Sequence, residues 1–541
     1  MKKLVALFLA AILLLSASAA VAEVDLSKYV DDPSQKITIA WMAGHDTTEV
    51  NKEDPVLLYL NDLYNVDIQP MFLDRTKYFE LLTTRIMSGN FPDVFLLENA
   101  SQFATVVGEE ICLELDIELI KKYMPNSYAW LMEYDPTCFY NVSVDGKIYG
   151  LPRVNMDGGY NYAPYWRKDW LEKFGYTNGT VPMTLNECEE VFYKFANEDP
   201  DGNGIKDTYA LSETGFLPIY GAFGVMHDRW VEDENGDLVF GAVAPAMKEA
   251  LTLLAKWYKD GLIDPEFVGK ECQGKHWSLS VPFELGQIGF SSSGAFYQLE
   301  PDFDGPEDEL AGTGGEFQYG KTVRTFAAQN SYDDQFIIGY NPTGFVGTKY
   351  EKFQGGDSWG KTTSEAVVFS YKLADDPAKL VRILKVIDDL GSNYDTWAKI
   401  YKWDLNVFDT NCYVYDELMG YLPVEGYSRD TTYGDTHTNM FNTLQPPQFK
   451  AKAEPARYGW ANSMPMFHTG GYSRVLLPVT TAAAVQYSGD LKKLQEAVFA
   501  DIIAGIKPVE YFDTFVKDWY ARGGEQMTKE ANEWWTANVK K

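Results

Sequence analysis

The 541-residue chain is poor in several things, and each shortage closes off a function class. Its five cysteines, Cys112, Cys138, Cys188, Cys272 and Cys412, are odd in number and nowhere spaced C-x-x-C. That excludes a disulfide framework and a cysteine zinc site, and leaves at most one local pair whose members the sequence does not select. The five histidines, His45, His227, His276, His437 and His468, are scattered singly. No H-E-x-x-H, G-x-S-x-G elbow or phosphate-cradling G-x-x-x-x-G-K-(S/T) occurs. Basic residues number 47 against 78 acidic ones, a formal net charge of −31 at pH 7. Such a surface repels nucleic acid and anionic membranes. With 78 acids a carboxylate pair for glycoside hydrolysis can always be drawn, so their abundance is no evidence for one. Beyond the first segment no apolar run reaches the length of a membrane span.

That first segment is expected to leave the mature protein. Lys2 and Lys3 give it a positive start, Leu4 to Leu15 is a short apolar run, and Ala20-Val21-Ala22 is an A-x-A cleavage pattern. Residues 1–22 therefore read as a signal peptide of an exported chain. No cysteine sits near the cut, which predicts no lipid anchor. The remainder is long enough for two or three domains. Aromatics make up 15% of residues, with 14 Trp and 35 Tyr, which suits surfaces that stack on flat ligands such as sugar rings as well as a large core.

The most specific local pattern is Asp199-Pro200-Asp201-Gly202-Asn203-Gly204-Ile205-Lys206-Asp207. Oxygen-bearing side chains of Asp199, Asp201, Asn203 and Asp207 fall at positions 1, 3, 5 and 9 of a calcium loop, and Gly204 falls at the sharp turn of position 6. Ile205, at position 7, would offer its backbone carbonyl. Position 12 is Ala210 in place of the usual bidentate Glu, so any further ligand must come from elsewhere or from water. The pattern predicts a structural calcium staple between a helix and a strand. A second acidic run, Asp233-Glu234-Asn235-Gly236-Asp237, reads better as an Asn-Gly hairpin turn.

Along the chain, Lys36 to Trp41 reads as a first strand, and Asp54-Pro55 starts a helix through Val56, Leu57, Leu60 and Leu63. A short strand at Val66-Asp67-Ile68, a helix from Thr76 to Ser88 stopped by Gly89, and a strand at Phe91–Leu97 follow. This alternation predicts an α/β protein with a mainly parallel sheet. Val142 to Leu151 reads as a hairpin turning at Asp145-Gly146. Thr184-Leu185-Asn186-Glu187 is a capping box. Helices are expected over Ala244–Gly261, from Asp376-Pro377 to Gly391, and in three pieces from Leu491 to the end. Ala366–Tyr371 reads as a strand. Residues 300–360 and 395–480 show little periodicity.

Several of these stretches, in this order, resemble the extracellular solute-binding proteins of ABC importers, in their large carbohydrate-binding group. They are Ser88-Gly89-Asn90-Phe91-Pro92-Asp93-Val94, Asp145-Gly146-Lys147-Ile148-Tyr149-Gly150-Leu151-Pro152, Tyr165 to Gly175, Gly286 to Phe296, and Asp501 to Trp535. Phe195 through Leu211 is similar to the insert of the alginate-oligosaccharide-binding subgroup, which binds calcium. The resemblance implies a two-lobed periplasmic binding protein fold of type II-like architecture, with a ligand cleft between discontinuous lobes joined by a hinge. The expected lobes are 36–152 plus 362–405 and 153–361 plus 406–541. The implied function is capture of a solute, expected to be an oligosaccharide, and delivery to ABC permease membrane subunits. The implied protein is a monomer and not an enzyme. An exported glycoside hydrolase and a calcium-dependent adhesion module are the alternatives.

A cleft of this kind needs stacking platforms and convergent polar groups, supplied by loops after parallel strands. That nominates Trp41 and His45 after the first strand, and Glu98 and Asn99 after the third. Tyr160 and Tyr162 at the crossing, Phe296 and Tyr297 in the Gly-rich segment, Trp359 at the hinge, and Trp403 and Trp460 complete the set. An acidic ligand would need a basic cluster, for which Arg153, Arg167, Arg457 and Arg474 are the candidates. The net charge favours a neutral glycan.

Overall fold

The structure is a computed structural model. It describes residues 25–45, 50–74, 77–144, 146–155, 163–269, 281–284, 286–292, 336–358, 361–400, 413–416, 420–423, 443–444, 446–453 and 481–540, with a few single positions between 453 and 481. The expected signal peptide, Cys272 and Cys412 lie outside the described residues.

Strands β1 (Ile37–His45), β2 (Val66–Asp74), β3 (Val94–Leu97), β4 (Gly150–Val154), β5 (Tyr165–Arg167), β6 (Tyr209–Leu211), β7 (Ile288–Ser291), β8 (Phe336–Ile338) and β9 (Thr362–Phe369) build two sheets. The first has the order β2-β1-β3-β9-β4 and the second β8-β5-β7-β6. The helices that matter below are α1 (Pro55–Tyr64), α2 (Tyr78–Met87), α3 (Ala100–Gly108), α4 (Leu185–Asn197), α5 (Phe216–Ala222), α6 (Pro245–Lys259), α7 (Pro377–Ser392), α8 (Ala482–Ile503), α9 (Tyr511–Trp519) and α10 (Glu525–Asn538). Among the described residues no helix is long and apolar enough to cross a membrane.

In the first sheet β1 runs parallel to both β2 and β3, as the βαβ alternation predicts. β9 departs from the mainly parallel expectation, because it is antiparallel to β3 and to β4. The reason is connectivity: β9 is reached after the whole second sheet, without a crossover helix of the first. The second sheet is mixed too, with β6–β7 parallel and β5 antiparallel to β7 and β8.

Local chemistry sets the helix ends. The Asp54 carboxylate accepts from the backbone N–H of Val56 at 2.8 Å and of Leu57 at 3.2 Å, with Pro55 at the first helical position. At α4 the capping box is complete: Glu187 N–H donates to Thr184 Oγ1, and Thr184 N–H donates to Glu187 Oε2 at 3.1 Å. The Asn235-Gly236 turn joins two short antiparallel strands, Trp230–Glu232 and Leu238–Phe240, with Gly236 at φ +75°. The hairpin reading of that acidic run therefore holds.

β2 continues six residues past the expected Ile68, through Pro70, to Asp74. It is the edge of its sheet, where a missing N–H facing outward costs no ladder bond. Two residues earlier on the same side, Ile68 N–H donates to the Asn61 side-chain oxygen of α1 at 2.9 Å.

The two sheets pack into separate cores. One gathers Ile39, Leu60, Leu131, Leu151, Phe369 and Ile387 with their neighbours. The other centres on Trp166, Trp170, Phe192, Phe195, Trp257 and Phe290. Its rings lock edge to face, with Phe192 and Trp257 at 5.2 Å and Trp170 and Phe195 at 5.3 Å between centroids. Gly289 of β7 lets this cluster close, because a Cβ there would lie 2.3 Å from the Phe195 ring.

Two polar hubs tie distant segments together. The Arg382 guanidinium of α7 binds the buried Asp31 carboxylate at 2.7 Å, and donates to the carbonyls of Tyr64 at 2.8 Å and Asp32 at 2.7 Å. It thereby straps the segment before β1 onto α7. At the crossing between the cores, Arg153 of β4 meets Glu365 of β9 at 2.7 Å and donates to the Thr443 carbonyl at 3.2 Å.

Candidate functional site

The parallel strands of both sheets end at polar residues. At the carboxyl end of β3, Asn99 caps α3 by accepting from Gln102 N–H at 3.0 Å. Gln102 turns its side chain back to accept from Glu98 N–H at 2.8 Å. Glu98 is half-buried, and its charge, after burial itself, helps push the Tyr78 phenol well above its ordinary pKa. Tyr78 stays protonated and donates to the Leu96 carbonyl at 2.8 Å. His45 ends β1 opposite Asp74 of β2. The structure thus brings Glu98 and Asn99 together, with His45 at the end of the neighbouring strand.

Trp41 is placed differently from a stacking platform. It is 2% exposed and belongs to the first core with Ile39, Val56 and Leu57. Within β1 its side chain alternates onto the packed face, and the middle of a nine-residue strand is not its exit. Tyr160, Tyr162, Phe296, Tyr297, Trp359, Trp403 and Trp460 lie outside the described residues.

Residues not singled out from sequence line the equivalent edge of the second sheet. β6 runs into Ser212-Glu213-Thr214, and β7 into Ser292. Ser291 Oγ donates to Thr214 Oγ1 at 2.9 Å, and Ser292 donates to the Thr214 carbonyl through N–H at 3.0 Å and Oγ at 2.7 Å. Both serine hydroxyls are therefore structural. Beside Thr214 a cavity of about 280 Å³ opens, walled by Phe216 and Tyr220 of α5, Phe267, and Gln495 and Phe499 of α8. Helix α8 also touches α3, the helix that Asn99 caps. The rule that nominated Glu98 also reaches Glu213 and Thr214, which follow a strand directly. Gln495 comes from a helix almost three hundred residues on, and no local signal marks it.

The basic candidates do not converge. Arg153 is held by Glu365, and Arg167 pairs with Asp169, its Nε 2.8 Å from Oδ1, while its guanidinium lies 5.2 Å from the Trp170 ring. Arg457 and Arg474 lie outside the described residues.

The loop from Asp199 to Asp207 follows α4 and precedes β6, and its side chains fold inward on one another. Asp199 sits at φ +50°, and Gly202 and Gly204 at φ +77° and +78°. The Asp199 carboxylate accepts from Gly202 N–H and Gly204 N–H, both at 3.1 Å. Asn203 Nδ2 donates to Asp201 at 2.7 Å and to Asp207 at 3.2 Å, while Asn203 Oδ1 accepts from Ile205 N–H at 2.6 Å. Burial raises the Asp199 pKa, but hydrogen bonding with Asp201 and the loop N–H groups outweighs it and holds the carboxyl below its usual range. Among the described residues no group of three or more His, Cys, Asp or Glu is spaced to hold a metal ion. The donor set nonetheless suits a hard cation. The Asn203 amide supplies positive N–H between two carboxylates, and its rotation would present oxygen instead.

Residues 60–301 match the family model described as bacterial extracellular solute-binding protein. Two curated relatives match over 43% of this chain. They are the fructooligosaccharide ABC transporter substrate-binding protein FusA of Streptococcus pneumoniae serotype 4, 28% identical, and the polygalacturonan/rhamnogalacturonan-binding protein YtcQ of Bacillus subtilis, 26% identical. The chain spans about half the length of these relatives, 47% and 46%. In structure the likeness runs much further. The complex of FusA with kestose superposes with a TM-score of 0.61 at 18% identity, covering 92% of this chain and 99% of that one. The alginate-binding protein AlgQ2 without calcium ion gives 0.60 at 17% identity, covering 93% and 98%. The fold is thus shared with these solved solute-binding structures, and the family match covers residues 60–301, somewhat under half of the chain.

Proposed function

We propose that this protein is the extracytoplasmic substrate-binding component of an ABC importer. It takes up an oligosaccharide between its two halves, closes on it, and hands it to membrane permease subunits. The observation that carries the reading is the architecture. Two independent cores are joined where β4, β9 and residues 443–444 meet, and each presents the carboxyl ends of parallel strands. That arrangement suits hinge closure around a ligand. The relatives named for fructooligosaccharide and for polygalacturonan support a saccharide ligand. The chain acts by binding, without turnover, outside the cytoplasm.

The loop Asp199–Asp207 carries calcium in this reading. Asp199, Asp201, Asn203 and Asp207 supply side-chain oxygens and Ile205 its carbonyl. The ion fastens α4 to β6 rather than taking part in ligand capture. One solved form of FusA is an EF-hand mutant, so a loop of this type has a counterpart in a protein of the same fold.

Thermal-shift and calorimetric titration against neutral and uronic oligosaccharides tests the function. A saturable shift with unchanged sugar supports it. Release of reducing ends would instead indicate a hydrolase, and the absence of any saccharide shift would remove the carbohydrate assignment.

A further inference from the structure

The cavity beside Thr214 allows the ligand class to be narrowed, on the premise that the protein binds a saccharide. We infer that this cavity is a subsite for a neutral, hydroxyl-rich sugar unit and discriminates against uronates.

The central group is Gln495. It is 3% exposed and lines the cavity. Lining the cavity, the side chain lies where a ligand can reach it. An amide offers N–H donors and a carbonyl acceptor side by side. A sugar hydroxyl, itself donor and acceptor, matches both. A carboxylate matches only the N–H side and leaves the carbonyl facing negative charge.

The surrounding charge points the same way. Glu213 and Glu496 stand at the cavity, with His227 beside Asp228, and among its described lining residues there is no Lys or Arg. Carboxylates accept from hydroxyls and repel uronates. The Tyr220 phenol is pushed up by burial, then by Glu213 and Asp228, so it enters as an O–H donor. The walls are flat and apolar: Phe216 and Phe267 meet edge to face at 5.6 Å, and Phe499 closes the α8 side. Such faces suit the C–H surface of a sugar ring. At about 280 Å³ the space takes one end of a ligand, not a long chain.

The test is calorimetric titration of the full chain with kestose and with trigalacturonate at pH 7, in calcium. The wild-type protein is expected to bind kestose at least tenfold tighter than trigalacturonate. Gln495→Leu should weaken kestose about tenfold while circular dichroism stays unchanged. Glu496→Lys, on the exposed side of α8, should raise the trigalacturonate-to-kestose affinity ratio severalfold. Tighter binding of trigalacturonate by the wild type overturns the inference and leaves the saccharide-binding function standing. So does kestose binding that neither substitution alters. Failure of both sugars, and of every other saccharide tried, overturns the function itself and the inference with it.

Discussion

Arg153 and Glu365 face each other across the β4–β9 crossing, Nη1 to Oε2 at 2.7 Å, where the chain passes between the two cores. Arg153 is 7% exposed at its side chain and Glu365 30%. The guanidinium also fixes the Thr443 carbonyl, so one side chain holds three passages of the chain. Arg153→Met is expected to destabilise by about 3 kcal/mol, the lower end for a broken buried pair, because Glu365 keeps some water. Urea midpoints of Arg153→Met, Glu365→Gln and the double variant measure the coupling. Additive effects would show that the pair contributes nothing specific.

Asp31 gives a pH-dependent counterpart. Burial raises its pKa, but hydrogen bonds from Arg382 and Lys385 outweigh that and hold the folded-state value below the ordinary one. A depressed carboxylate stabilises above its unfolded pKa of about 3.9, and the contribution is lost as pH falls through the folded value. Asp31→Asn should therefore cost most at neutral pH, and the gap to wild type should close on acidification below about pH 4. Denaturation midpoints at pH 7 and pH 3 check this; a gap that widens in acid would be the contrary result.

Much of the scaffold was readable one-dimensionally, and the reasons are local. Asp54-Pro55, the Thr184/Glu187 box and the Asn235-Gly236 turn act through atoms within four residues of one another, so spacing alone finds them. β2 runs past the expected Ile68, and only the sheet order, which makes it an edge, shows how it accommodates Pro70. Trp41 was nominated for the cleft because it is aromatic and near a strand end; the nine-residue length of β1, invisible in periodicity, buries it. Arg153 and Arg167 looked available for an acidic ligand until their carboxylate partners were in view, one of them 212 positions away. Gln495 could not be found at all, because only the folded chain brings α8 beside Thr214 and α5 at the cavity.

Calcium is expected to stabilise the protein without setting ligand affinity. At a free concentration one hundred times the dissociation constant, binding to the folded state alone contributes about 2.7 kcal/mol. Asp199→Ala should abolish the calcium-dependent rise in Tm, read with and without chelator, while leaving saccharide affinity within twofold. A wild type indifferent to both calcium and chelator would dispose of the metal assignment.

Gly221 tests how closely α5 is seated. A Cβ there would lie 1.8 Å from the Gly355 carbonyl oxygen, a backbone atom with little room to retreat. Gly221→Ala should cost at least the roughly 1–3 kcal/mol of an overpacked site. It should also weaken saccharide binding, since α5 carries Phe216 and Tyr220. Unchanged stability would mean that the 355–356 segment yields freely.

The outer rim of β2 decides how the first sheet meets its neighbours. Outward-facing main-chain donors of an edge strand are an invitation to another strand. Here one of them, at Ile68, is already occupied by Asn61, and the next place along that side is a proline that has none to offer. An incoming chain would find two successive rungs missing at Ile68 and Pro70, so strand-by-strand growth is hindered along that part of the border.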